Sequence, residues 1–292
     1  MTIDINVQMI DRVLSALDEL TDDNPGLESS VDFYEEILPM MIAARPSLHG
    51  LTLNVEAAQT KLNEGVPLLW GELSAPDAAG MEPNIDLFLT LCRVTAENGN
   101  DDGEALIRAF VDGRLELKPM LRQALIQDRA GLLETAEAWQ VDPALLTAMS
   151  RFLLTPIARA YAIAFGQALQ FGSWQQGYCP VCGAWPVLAE LRGRDKLRYL
   201  DCGRCGTSWV FKRLGCLWCG NTNEKQLSFL FDSDQVVRRI DVCDKCHGYI
   251  KTITSFDPLE PDMLLVHDLE TAYLDQMAAD QGYRRLNVQP KP

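Results

Sequence analysis

The sequence predicts an α+β protein: an amino-terminal all-α bundle, then two small β modules each built on a metal, then a carboxy-terminal helix. Three observations predict this. Apolar residues recur at helical spacing up to about residue 172. Eight of the nine cysteines follow residue 178 in four C-x2-C pairs. A last stretch of helical periodicity follows Pro261. The expected divisions are residues 1–172 (helical), 173–212 and 213–256 (one metal ribbon each) and 257–292 (helix and tail). With 292 residues, 47% hydrophobic and 23% charged, the chain can bury a proper core and is far from disordered usage.

In the first division Ile10, Val13, Leu14 and Leu17 share one helical face, as do Leu87, Leu91 and Val94. Asp142-Pro143 before Ala144-Leu145-Leu146 reads as an N-cap with proline at the first helical position. Turn clusters at Asp22–Gly26, Ala75-Pro76-Asp77 and Asn98–Gly103 separate helices, and seven to nine helices in one irregular bundle are expected. No fixed-length repeat points to a solenoid. The stretch Phe152–Phe171 is about long enough to span a bilayer, but Arg151, Pro156, Arg159 and Gln167 flank or interrupt it, so it is read as a core helix. Cys92, one turn after Phe88 and Leu89, is expected to be a buried small apolar side chain.

The chain passes through Gly172–Gly177 into Cys179-Pro180-Val181-Cys182, then Cys202-Gly203-Arg204-Cys205, Cys216-Leu217-Trp218-Cys219 and Cys243-Asp244-Lys245-Cys246. The amino terminus lacks the basic and apolar regions of a secretory signal, so a reducing cytoplasmic setting is expected and structural disulfides are not. Metal ligation is the stronger reading. Two C-x2-C turns supply four thiolates, a tetrahedral shell suited to zinc or a single iron, and eight sulfurs make two shells. Gly183, Gly206 and Gly220 directly follow three turns, and Gly248 follows the fourth after His247. Glycine permits the positive φ such turns need. The Arg198–Asp201 run before Cys202 matches Arg238–Val242 before Cys243, as in a duplicated unit of turn, strand, strand, turn. Sequential pairing is the expectation: Cys179, Cys182, Cys202 and Cys205 around one ion, Cys216, Cys219, Cys243 and Cys246 around the other. A cross-braced arrangement is the rival.

Runs such as Ser208–Phe211 and Leu227–Phe231 read as ribbon strands, and Trp174, Trp185, Trp209 and Trp218 as aromatic shielding for the sulfurs, with a partner-binding aromatic surface as the alternative. After Pro261 one helix is expected to Ala279, with Leu265, Leu269 and Tyr273 on one face.

Charge bears on partners. Lys plus Arg is 26 against 41 Asp plus Glu, a net of −15, which argues against general nucleic-acid or anionic-membrane binding. Residues 179–256 hold 12 basic and 8 acidic residues, a surplus of four that offsets two tetrathiolate centres of −2 each. Arg204 and Lys245, inside the turns, could favour thiolate over thiol. No catalytic constellation stands out, and the chain is read as a non-enzyme. Only His49, His247 and His267 are available for neutral acid–base chemistry, and no Walker loop, dinucleotide fingerprint or Gly-x-Ser-x-Gly occurs. His247 as a substitute ligand and Cys179/Cys182 as a redox dithiol are the lesser readings.

The series Cys179-Pro180-x-Cys182-Gly183, Arg198-Tyr199-Leu200-x-Cys202-x-x-Cys205 with Trp209 and Arg213, Cys216-x-x-Cys219, and Cys243-x-x-Cys246-x-Gly248-Tyr249-x-Lys251 resembles the FdhE family of formate dehydrogenase accessory proteins. The tail Asp268–Asp275 ending in Gly282-Tyr283 is similar to that family as well, so the likeness is dense over 178–285 and rests on length and helical character before that. The resemblance implies two rubredoxin-like sites on the eight cysteines, with iron preferred and zinc the alternative. It also implies a cytoplasmic maturation factor for respiratory molybdenum- or tungsten-dependent formate dehydrogenases, whose partner is the catalytic subunit. Nucleic acid and membrane are not expected partners, and homodimer formation is left open. A metal ribbon that binds nucleic acid or the transcription machinery, and a rubredoxin-like electron-transfer protein, are the readings from other classes.

Overall fold

The computed structural model describes residues 2–44, 54–70, 83–231 and 237–286. Ala75-Pro76-Asp77 and His49 lie outside the described residues. Eight α-helices precede residue 172 among the described residues: α1 (Thr2–Asp23), α2 (Glu28–Ala43), α3 (Val55–Asn63), α4 (Ile85–Glu97), α5 (Asp102–Val111), α6 (Leu117–Leu125), α7 (Arg129–Trp139) and α8 (Pro143–Ala168). The chain forms two compact units, Met1–Thr52 with Leu69–Tyr161, and Leu53–Leu68 with Ala162–Pro292.

The first unit is helical, and its faces follow the apolar spacing. Val13 and Leu17 of α1 and Leu87, Leu91 and Val94 of α4 are buried. Short polar side chains start the helices: Asn84 accepts from the Leu87 N–H and Asp128 from the Gly131 N–H, both at 3.0 Å, and Asp142 from the Ala144 N–H at 2.8 Å. Leu146, Met149, Leu153, Leu154, Ile157 and Ala158 of α8 are buried at helical spacing, and no described helix is long and apolar enough to cross a membrane. Cys92 is buried within α4, and burial pushes its thiol up to about 12, so it behaves as a small apolar group.

The second unit holds six strands: β1 (Leu188–Arg192), β2 (Leu197–Asp201), β3 (Ser208–Val210), β4 (Leu227–Leu230), β5 (Arg238–Cys243) and β6 (Gly248–Ser255). They form one sheet in the order β3-β2-β1-β6-β5-β4. Each ribbon is an antiparallel set of three, with β2 and β5 entering Cys202 and Cys243 as the duplicated sequence suggests. Parallel pairing of β1 with β6, from Ala189 opposite Thr252 to Arg192 opposite Ser255, fuses the two into one sheet.

One expectation is corrected at the carboxy end. The predicted single helix is a 3-10 turn (Pro261–Met263), α9 (Leu264–Glu270) and α10 (Ala272–Asp280), broken at Thr271. The Thr271 hydroxyl donates back to the His267 carbonyl at 2.7 Å, a side-chain bond that competes with the helical ladder. The break shifts the apolar face. Leu274 and Ala278 pack on Ile240, Val242 and Tyr249, and Leu264 packs on Val187, Leu188 and Ile253, whereas Tyr273 is exposed.

Candidate metal centres

The four C-x2-C turns share one backbone design. The N–H of the first cysteine donates to the carbonyl five residues on in three of them: Cys179 to Ala184, Cys202 to Thr207 and Cys216 to Asn221, at 2.8–2.9 Å. The N–H four residues on donates back to the first cysteine's carbonyl in all four, from Gly183, Gly206, Gly220 and His247. The residue making that bond has positive φ each time, +70, +73 and +69° at the glycines and +54° at His247. In the fourth turn the left-handed position therefore falls on His247, not on Gly248. Glycine is needed at 248 for a different reason: a Cβ there would lie 2.6 Å from Trp218 Cδ1 and 3.2 Å from Cys246 Sγ.

The turns bring the eight sulfurs into two quartets, Cys179, Cys182, Cys202 and Cys205, and Cys216, Cys219, Cys243 and Cys246. All ligand atoms within a quartet lie within 4.8 Å of one another, and no other group of three or more His, Cys, Asp or Glu does so among the described residues. Cys179 Sγ is 3.4 Å from Cys205 Sγ and Cys182 Sγ 3.5 Å from Cys202 Sγ; the matching separations in the second quartet are 3.6 and 3.8 Å. A metal about 2.3 Å from each of four tetrahedral sulfurs sets them roughly 3.8 Å apart, so the donor set fits one ion per quartet. The grouping is sequential. His247 belongs to neither quartet, and its ring faces Tyr283 at 6.0 Å.

Burial opposes a bare thiolate at these positions. It raises the thiols of Cys179, Cys205 and Cys216 well above the usual range and that of Cys246 to about 11. At Cys202 and Cys243, the first ligands of the second turns, burial is outweighed by hydrogen bonds that hold the thiols low. Those at Cys202 come from the neighbouring ligand thiols and the Cys205 N–H, and those at Cys243 from the Cys246 N–H and the Asn221 side chain. Four thiolates in a place as dry as the first quartet require a cation, and one ion held there would supply it.

Sequence reasoning missed two side chains that touch sulfur. The Thr207 hydroxyl lies 3.1 Å from Cys205 Sγ, and Asn221 Nδ2 lies 3.6 Å from Cys243 Sγ. Each stands five residues after the first cysteine of its turn, the repeat that could have revealed them. Of the tryptophans expected to shield the sulfurs, Trp218 is placed beside the fourth turn, at Gly248. Trp174 and Trp209 are buried, and Tyr178, Trp185 and Trp218 continue from Trp174 in a run of ring contacts at 5.5, 5.7 and 4.6 Å.

The motif residues that flank the cysteines hold the sheet together. Arg198 of β2 donates to the Gly215 carbonyl at 2.9 Å, just before Cys216, and pairs with Asp241 of β5 at 3.2 Å, joining one ribbon to the other. Lys251 of β6 is fully buried and pairs with Asp268 and Asp275, both at 2.8 Å. Arg285 closes the same pair of carboxylates, and the Tyr249 hydroxyl donates to Asp275 at 2.5 Å. Lys251 and Arg285 hold the Asp268 carboxyl below its usual range against its own burial.

Comparison with known proteins follows the same residues. A family model described as the central domain of FdhE matches residues 178–213. The FdhE homologue of Aquifex aeolicus is 27% identical over 241 residues, 80% of this chain and 77% of that relative. That of Shewanella baltica is 37% identical over 119 residues, 40% of this chain and only 38% of the relative's length. The crystal structure of the FdhE protein from Pseudomonas aeruginosa covers 97% of this chain and 94% of its own, at 22% identity and a TM-score of 0.60, a likeness of fold. The central match spans the first sulfur quartet and its connecting strands, and the longer likenesses extend over both units: the chain is similar to FdhE proteins over most of its length.

Proposed function

We propose that the chain is a non-catalytic maturation factor for a respiratory molybdenum- or tungsten-dependent formate dehydrogenase, acting in the cytoplasm on the catalytic subunit. In this reading Cys179, Cys182, Cys202 and Cys205 hold one ion and Cys216, Cys219, Cys243 and Cys246 a second, with iron in both. The observation that carries it is the pair of complete sulfur quartets, the first of them within the residues that match the model of the FdhE central domain. When bound, the ions supply charge neutralisation and a fold-ordering crosslink, with one-electron exchange available if they are iron. The chain's own residues hold the sulfurs through the turn N–H groups, Thr207 and Asn221, and exclude water from the first quartet. Electron exchange is favoured only at the second quartet, where Cys219 is exposed.

The test is anaerobic purification with metal analysis and a visible spectrum, together with capture of a formate dehydrogenase catalytic subunit. Two irons per chain with strong visible absorption, and retention of the subunit, are the expected results. Colourless zinc in both quartets rules out electron exchange. Replacing Cys202 and Cys205 with Ser is expected to remove one metal and impair formate oxidation by the client. Full client activity with that quartet empty overturns the functional role of the site.

A further inference from the structure

Strand β4 is the terminal strand of the sheet, with β5 on one side and no strand pairing on the other among the described residues. Natural edge strands are normally charged, covered or bent away, because an unpaired ladder recruits other chains. Here the edge is apolar and open. Phe229 is 53% exposed and Phe231 50% exposed, with their rings stacked 5.9 Å apart, and Leu214 beside them is 57% exposed.

A cavity of about 120 Å³ opens between β4 and the second sulfur quartet, bordered by Ser228, Phe229 and Leu214 and reaching Cys216 and Cys243. Three guanidinium groups line it, from Arg198, Arg213 and Arg239, against a single carboxylate, Asp241. Arg239 is committed, pairing with Asp241 at 2.8 Å and lying over the Phe229 ring at 4.7 Å. Arg198 is buried and held by Asp241 and Gly215, yet its Nε–H is a buried donor with no acceptor. Arg213 has no ion pair or hydrogen bond to a described residue, although it lines the same space. A divalent tetrathiolate centre would offset the excess charge. It does not supply the missing acceptors, since no described hydrogen bond joins these arginines to a ligand sulfur.

The cavity is open on one side and has room for an acidic side chain. We infer that β4 and this arginine-lined cavity form the surface on which the client docks, taking an extended apolar segment whose acidic side chain reaches Arg213 and Arg198. The segment adds to β4 as a further strand, its main chain pairing with the open ladder and its apolar side chains covering Phe229, Phe231 and Leu214. The inference rests on the client reading proposed above and adds the place and the chemistry of the contact.

The experiment uses the full chain carrying both metals and a formate dehydrogenase catalytic subunit. Affinity is measured for the unaltered chain, Arg213→Glu and Phe229→Ser, each checked for two metals per chain, and hydrogen exchange is followed with and without client. Each substitution is expected to weaken binding about tenfold or more, with exchange at Leu227–Leu230 slowed in the complex. Binding by the unaltered chain that both substitutions leave unchanged, or protection only elsewhere, overturns the docking surface and leaves the client reading standing. No binding by the unaltered chain overturns the client reading, and this surface with it. Protection of β4 that grows with the concentration of the chain alone assigns the edge to a second copy and also overturns the client surface.

Discussion

The two sulfur quartets use the same turns, the same strand order and near-identical sulfur separations, yet they differ in their access to water. Every ligand of the first is buried, Cys179, Cys182 and Cys202 completely, whereas Cys219 of the second is exposed and Cys246 half-buried. Trp174, Tyr178, Val181 and Val187, in the segment that carries the first quartet's opening turn and strand, are buried as well. In the second, the two buried ligands, Cys216 and Cys243, border the arginine-lined cavity, while Cys219 and Cys246 lie outside it. A duplicated unit has thus produced one fully buried quartet and one with an exposed ligand, and the reading proposed above gives the first the fold and the second the partner.

Breaking each centre in turn should give the largest effect. Structural zinc in small modules supplies about 10–16 kcal/mol of apparent folding free energy at neutral pH. Cys202→Ser is expected to abolish cooperative melting of the sheet unit, because β2 ends at that ligand and pairs with both β1 and β3. Cys219→Ser, on the exposed rim, is expected to cost one metal while β1, β2 and β3 still melt cooperatively. Metal content and far-ultraviolet melting report both outcomes, and equal damage from the two substitutions would refute the division of labour.

The next effect concerns what anchors the second ribbon. Lys251 is fully buried between Asp268 and Asp275, and removing one partner of a buried ion pair costs about 3–5 kcal/mol. Lys251→Met leaves both carboxylates to Arg285 alone. Loss near the lower end of that range is expected, since the two carboxylates are partly exposed, and it should appear in denaturant melts as earlier release of α9 and α10. Retention of the first metal at denaturant concentrations that free the second would place the damage in the second ribbon.

A smaller effect separates the two centres without altering a ligand. Hydrogen bonds to metal-bound groups typically change metal affinity about 10- to 100-fold. Asn221→Ala should lower affinity at the second centre, and Thr207→Val should do so at the first. Competition with a chromogenic chelator is expected to show two phases in the unaltered chain, the faster from the exposed quartet. Asn221→Ala should speed that phase alone. A single phase would mean that exposure of Cys219 does not govern release.

How much of this was legible in the sequence depends on whether the signal was local. The eight sulfurs, the strands entering Cys202 and Cys243, and the helical faces of α1 and α4 all follow from short-range spacing and appear where expected. The parallel pairing of β1 with β6 joins residues about sixty apart in sequence with four strands and three C-x2-C turns between them, and nothing in either strand announces its partner. The Thr271 break was hidden because the apolar residues on either side keep a plausible helical spacing, and the competing hydroxyl bond is visible only in three dimensions. Arg198 and Lys251 were legible as motif residues but not as crosslinks, because their carboxylate partners lie on distant elements.

The smallest predicted effect lies beside the sealed centre. Lys61 of α3 is buried and donates to the Leu68 carbonyl at 2.9 Å, while the Leu68 N–H donates to the Pro180 carbonyl within the first turn. Burial holds the Lys61 ammonium down to about 8, from 10.5. Between those values the unfolded chain binds more protons than the folded one, so this group makes stability rise with pH across that window and adds no slope below it. One proton sets an upper limit of about 1.4 kcal/mol per pH unit, and residual solvent around the group should keep the slope well under that limit. Lys61→Met loses the bond to Leu68 as well as the charge, so absolute stability is not diagnostic, but the slope is. Melts of the metal-loaded chain from pH 7 to 10 should flatten on substitution for the transition that releases the first metal and stay unchanged for the second. A slope that survives Lys61→Met would assign the titration to another group and separate α3 from the first centre.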